Sequence, residues 1–385
     1  MDPRVDHDNC GACGMACGDE AACNDGACDN GTSIWPTLGG DVRHSGFAVN
    51  ERGTPPLSLA WKTQLAQGSL WPAVSDGSSV YVSNTSYFQQ HSLWALSVAD
   101  GSLIWSYDFG DVFGIGQAAV VSGRVYIAQC NNNPGTYMYA FDAASGKVIW
   151  TQPFTAQWEN YWAPIVVGSR LYFDGGEYGG LYALNRMTGA SVFFNSKVGQ
   201  YDEWSPLALG DRVYTFVDGN LVAHDPDTGD EIEKVKTMWN WEGYEMLTSP
   251  ISDGNSVFVI SPPNLFAFTP DLATQTWTAN GGYAGMPAVA NGVVYSLSAG
   301  QLRANDAESG EVLWTFTGDS KLEYPPVVVG NTIFASSADT VYAVDASTHD
   351  SVWSAEPGGW LSVAAGDVFV AQVDGTLAAY GLTRP

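Results

Sequence analysis

Three stretches of this 385-residue chain place carboxylates among aromatic rings within a few residues of one another. They are Trp158-Glu159-Asn160-Tyr161-Trp162, Tyr201-Asp202-Glu203-Trp204, and the run from Trp239 to Glu245, which holds Trp241, Glu242 and Tyr244. Glu323-Tyr324 repeats the pairing later, and Trp71, Phe113, Tyr283 and Trp360 occupy comparable places without an acid. Rings beside carboxylates can hold a cation, through charge and the negative ring face, or stack on a sugar. They can also grip a peptide segment. Were two of the acids spaced across a glycosidic bond, as Glu159 with Glu203 or Glu245, they would serve as acid and base in glycan cleavage. The plainer alternative is that the rings pack between structural units and the acids are solvated.

Other chemistry is thin. His7, His44, His91, His224 and His349 are scattered, and neither a Gly-x-Ser-x-Gly elbow nor a phosphate loop occurs. Asp174-Gly175-Gly176-Glu177 and Cys130-Asn131-Asn132-Asn133 read as polar loops. Either would offer oxygens to calcium, but with no recognised ligand spacing. Cys10, Cys13, Cys17, Cys23 and Cys28 crowd an almost core-less segment, so disulfides in an oxidising compartment are expected over zinc. The sixth, Cys130, either pairs with that segment or leaves a partner to be found upstream of Met1.

What must position the aromatic–acidic stretches is a repeat. Tyr139-Ala140-Phe141-Asp142 runs through Ser145-Gly146 to Trp150, and the same cassette recurs along the chain, losing its Trp at Ile232 in the fourth copy. A second cassette alternates with it: an apolar strand, a glycine turn, and a strand carrying Tyr81, Tyr126, Tyr172, Tyr214, Phe258, Tyr295, Phe334 or Phe369. The spacing of about 35 to 46 residues is that of a four-stranded propeller blade. Such a meander buries both faces only between neighbours, which a ring of eight provides. The eighth copy stops after Tyr380 without an outer strand, and an orphan strand, Leu57 to Leu65 with Trp61, precedes the first. The predicted fold is therefore all-β: an eight-bladed β-propeller of four-stranded antiparallel blades closed by an N-terminal strand. Residues 1–33 form a Cys-rich spacer and residues 34–385 the propeller. The aromatic–acidic stretches precede the innermost strands, so they should line a central funnel.

Charge narrows the partners. With 41 acidic against 15 basic residues the net charge is -26, which repels nucleic acid and anionic headgroups. No apolar run is long enough to span a membrane, and Met1-Asp2-Pro3-Arg4 lacks the apolar core of a signal peptide, so removal of an export signal is expected.

From Trp35-Pro36-Thr37-Leu38-Gly39-Gly40-Asp41-Val42-Arg43-His44-Ser45-Gly46 to residue 384 the chain resembles the quinoprotein-like repeat propellers, including the outer-membrane assembly lipoprotein of the BamB type. Residues 8–28 resemble the Cys-Gly-rich modules near the N-termini of exported myxobacterial proteins. Quinoprotein dehydrogenases share the fold, but the adjacent Cys-Cys pair and the long blade insertions that the resemblance would require are absent. The expectation is a monomeric, non-catalytic binding scaffold, secreted, periplasmic or outer-membrane associated, with an upstream lipid anchor compatible with the spacer. Its ligand is an envelope protein or glycan, bound at a funnel lined by Trp71, Glu159, Trp162, Asp202, Glu203, Trp204, Trp241, Glu242, Glu245, Tyr283, Glu323, Tyr324 and Trp360. An enzyme acting through that funnel is the alternative. No cofactor is expected; pyrroloquinoline quinone and calcium belong to the enzyme reading.

Overall fold

A computed structural model describes residues 33–85, 87–131, 135–157, 159–239 and 243–383, with the backbone of Ala22–Asn24 and Ala27–Asp29, a two-stranded hairpin. The side chains of Cys10, Cys13, Cys17, Cys23 and Cys28, and residues Trp158, Trp241 and Glu242, lie outside the described residues.

Eight four-stranded antiparallel blades follow one another. Blade 1 spans residues 74–112, blade 2 114–153, blade 3 165–195, blade 4 207–236, blade 5 251–280, blade 6 283–316 and blade 7 324–355. Blade 8 takes Trp360–Ala364, Asp367–Ala371 and Thr376–Thr383, then borrows Thr54–Gln64, which pairs antiparallel with Thr376–Thr383. The closing strand is thus the expected one around Trp61. The innermost strand of blade 2 is broken into Gly114–Ile115 and Ala119–Val121. Innermost strands of successive blades touch from blade 1 to blade 4 and from blade 5 to blade 8, and blade 8's touches blade 1's. Among the described residues no helix is long and apolar enough to cross a membrane.

The repeat's Trp and its Gly are two halves of one contact. Trp105 of blade 1 donates its indole N–H to the Ala143 carbonyl of blade 2 at 2.8 Å, and its ring lies where a Cβ on Gly146 would be, 2.6 Å away. Trp61 sits likewise on Gly101, Trp150 on Gly189, Phe193 on Gly229 and Trp277 on Gly310. In blade 4 the corresponding position, opposite Ala223, is Glu233. The turn of blade 5 that would receive it, Thr269–Thr274, has no glycine. The indole and the glycine it would cover are lost together, and the blade 5 carbonyl, Pro270 O, accepts from Tyr214 Oη instead.

The opening segment does more than lead into the ring. It crosses the end of the channel where the innermost strands finish and bonds to every blade in turn. Ser33 O accepts from Ala365 N of blade 8, Trp35 exchanges two bonds with Ser75 of blade 1, and Pro36 O accepts from Val120 N of blade 2. Thr37 Oγ1 donates to Pro164 O at the start of blade 3. Val42, Arg43, Ser45 and Gly46 carbonyls then accept from Ala208, Ser252, Val289 and Val328 of blades 4 to 7. At Gly46 φ is +68°, and a Cβ would lie 2.4 Å from that of Ala288.

Candidate functional site

At the other end of the channel, the segments leading into blades 3, 4 and 5 are knitted together. Asn160 N–H donates to Asp202 Oδ2 at 3.1 Å, and Glu203 N–H donates to Asn160 O at 3.0 Å. Asp202 N–H donates to Tyr244 O and Met246 N–H to Asp202 O, both at 2.8 Å, in a short parallel bridge between Asp202 and Glu245. Glu203 is held at φ +57°, a left-handed conformation that costs a non-glycine residue on the order of 1 kcal/mol and persists only where its surroundings impose it. A fourth element reaches in: Tyr87, from the loop between the second and third strands of blade 1, accepts from Asn160 Nδ2 at 2.6 Å.

Below this surface lie two more acids. Glu159 and Asp174, the latter ending the second strand of blade 3, are each only 2% exposed. Glu159 Oε2 accepts from Tyr161 Oη at 2.6 Å, while its Oε1 and both Asp174 oxygens have no hydrogen-bond partner. The Gly175 N–H beside Asp174 and the Gln200 side chain beside Glu159 each lower their acid in part. Burial is the main cause of the consequences, and like charge adds to it. Glu159 is pushed up to about 8 and Asp174 well above the carboxylate range, each also raised by Asp202. Asp202 is pushed up to about 7 by burial and then Glu245. Glu203 reaches about 7 through burial, Asp202 and Glu245. At neutral pH the cluster therefore holds protons that solvated carboxylates would have released.

The aromatic candidates divide. Trp162 of the blade 3 lead-in and Trp360 of blade 8 meet edge to face, ring centres 6.3 Å apart. Those blades are not neighbours, so the contact spans the channel. Tyr324 packs on Trp360 at 5.2 Å, Trp71 donates its indole N–H to Ile115 O, and Trp71 and Trp162 share a buried cluster with Leu38 of the opening segment. Trp204 and Tyr283 do not line the funnel. Trp204 is fully buried in the apolar layer of blades 3 to 5, and Tyr283 lies under Arg303 and meets Asn305 within blade 6, as inter-blade fillers do.

Of the acids, Glu159, Asp202, Glu203 and Glu245 come together, whereas Glu323 is exposed on blade 7 and accepts from Ala338 N–H. Asp174 and Tyr87 join the site from tips between second and third strands rather than from ahead of an innermost strand. The Cys130 thiol is fully buried against the same cluster and unpaired among the described residues. Burial raises its pKa, and Glu159 and Asp202 raise it further. Among the described residues no group of three or more histidine, cysteine or carboxylate side chains could hold a metal ion.

The chain is 27% identical over 270 residues to a quinohemoprotein alcohol dehydrogenase of Comamonas testosteroni, matching 65% of its own length but 30% of that protein's. It is 22% identical over 316 residues to a tetrathionate hydrolase of Acidithiobacillus ferrooxidans, covering 66% of itself and 60% of the relative. The chain thus spans less than two thirds of either curated relative. In three dimensions it is similar to BamB from Moraxella catarrhalis, with a TM-score of 0.69 at 17% identity, covering 85% of this chain and all of that one. Matches to the family described as outer membrane protein assembly factor BamB fall on residues 45–190, 89–316 and 298–383, nearly the whole propeller. With eight repeats, a matching ring and those spans, the chain belongs to that family.

Proposed function

We propose that this protein is a non-catalytic binding scaffold of the cell envelope that recognises a protein or glycan on the face where its innermost strands begin. The observation that carries this reading is the Trp162–Trp360 contact across the channel. It sets two rings across the axis beneath a surface mouth bordered by Tyr87, Asp202, Glu203 and Glu245. Tyr87, Tyr178 and Tyr244 are 51%, 72% and 76% exposed on the same face, where the second and third strands turn and blades connect. Large exposed rings near polar groups favour recognition. We further propose that residues 1–33 act as a disulfide-held spacer, with Cys10, Cys13, Cys17, Cys23 and Cys28 as its cross-linking residues.

The two curated relatives carry enzyme names, which favours a second reading. Against it, pyrroloquinoline quinone is a tricarboxylate, and the carboxylates of this mouth would oppose it. Glu159, the candidate acid for glycan cleavage, is too enclosed for a sugar ring to be seated beside it.

A photo-crosslinking residue at Tyr87, Tyr178 or Tyr244, compared with one at Met187 in a turn of the opposite face, tests the scaffold reading. Adducts to one envelope component from the first three and not from Met187 are expected. Adducts from Met187 alone, or from none of the four, overturn it.

A further inference from the structure

We infer that the mouth takes the guanidinium of an arginine carried on an extended segment of a partner protein. This deepens the scaffold reading and rests on it. Three facts converge. First, Asp202, Glu203 and Glu245 come from two successive lead-ins joined by the Asp202–Glu245 bridge, and the charge of all three is felt at the Tyr87 hydroxyl. The phenol ring is therefore a wall of the same site. Second, the floor is unfinished. Asp174 and Glu159 are 98% removed from solvent, yet three of their four oxygens lack a hydrogen-bond partner. A buried acceptor left unmade is unfavourable, and a slender donor reaching it from the mouth would offset that. Third, no described group of acids is close enough to close on a metal ion. Spread acceptors suit a planar cation whose five N–H donors fan outward, with a ring beside it to stack on.

The surroundings point to a peptide rather than a free small cation. Tyr244 and Leu247, next to Glu245 and Met246 in the chain, are exposed beside the mouth, and Tyr178 is exposed on the same face, where residues flanking an arginine would lie. Excess acid over base in the whole chain, 41 against 15, steers a basic segment toward it.

Binding should weaken on acidification. The groups that face the cation are Asp202, Glu203 and Glu245 from the lead-ins, Glu159 and Asp174 beneath, and Tyr87 and Asn160 at the side. Below neutrality Asp202 and Glu203 take up protons and lose their attraction.

The test uses the full chain labelled with 3-fluorotyrosine, the Tyr87 signal being assigned through Tyr87→Phe. The probes are blocked Leu-Arg-Leu, its citrulline analogue, and agmatine. The arginine peptide is expected to move the Tyr87 resonance and to bind at least tenfold more tightly than either other probe. Its affinity should fall severalfold from pH 8 to pH 6, and tenfold or more in the Glu203→Gln/Glu245→Gln variant. Equal binding of the citrulline peptide overturns the charge inference while leaving the mouth a docking site. Equal binding of agmatine overturns the assignment to a peptide. No movement of Tyr87 with any probe overturns this inference, while crosslinking from the same face would still decide the scaffold reading separately. Circular dichroism matching the unsubstituted protein confirms that the variant is folded.

Discussion

Glu159 is the residue whose chemistry is most changed by where the chain puts it. An ordinary glutamate releases its proton near 4.5; here release waits until about 8 because the group is buried. Folding therefore favours the protonated form, and the sign follows from linkage. Below about 4.5 both folded and unfolded chains keep the proton, so nothing is lost. Between about 4.5 and 8 the unfolded chain has released it and the folded chain has not, so stability falls as pH rises. Above 8 the penalty is complete. Asp202 and Glu203, at about 7, add to the same slope. Exposed turn aspartates such as Asp142 and Asp306 act oppositely, since Ser145 and Ser309 hold them below the usual carboxylate range. Their stabilisation is present above about 3.8 and is lost as pH falls through their lowered values. A urea midpoint higher at pH 5.5 than at pH 8.5 is expected. Glu159→Gln keeps an acceptor for Tyr161 Oη, so it should flatten that slope and stabilise the protein at pH 8.5 by on the order of 1 kcal/mol. An unchanged slope in the variant would show that the other acids carry the effect.

Among elements, the Trp–Gly contact between successive blades is the one most exposed to a single substitution. Gly146 has φ +68°, which costs any other residue about 1–2 kcal/mol, and an alanine methyl there would overlap the Trp105 ring. Gly146→Ala should therefore lower stability by more than that figure, and Trp105→Ala by roughly 3–5 kcal/mol. The two changes combined should cost less than their sum, because each removes the same contact; a double-mutant cycle in urea reads this directly. Additive costs would mean that the ring and the glycine act separately. This layer of the molecule was legible in the sequence, because Trp105, Gly146 and the orphan strand at Trp61 are local signals repeated at fixed spacing. The candidate site was legible only where it followed the same register. Glu159, Asp202, Glu203 and Glu245 precede innermost strands and could be found by position. Asp174 and Tyr87 could not, since they sit at other turns and meet the cluster through ring geometry. Trp204 and Tyr283 occupy the expected register, yet their rings turn between strands rather than toward the axis.

Across the whole molecule two closures coexist: the strand exchange at blade 8, and the opening segment that touches all eight blades. Gly46→Val tests the second. It asks a β-branched residue to adopt φ +68° against Ala288, so residues 33–48 should detach from blades 6 and 7. Faster amide exchange at Val289 and Val328, whose N–H groups bond to that segment, is the expected result, with Thr376–Thr383 still protected. Equal exchange at both would show one closure rather than two. Repeat proteins commonly drift in copy number, because a duplicated unit finds the same neighbours as the original. Here that freedom is curtailed. Residues 33–46 offer a fixed succession of donors and acceptors, one station for each blade, so a seventh-fold or ninefold ring would leave a station empty or a blade unserved. The first residues of the ring keep a census of those that follow.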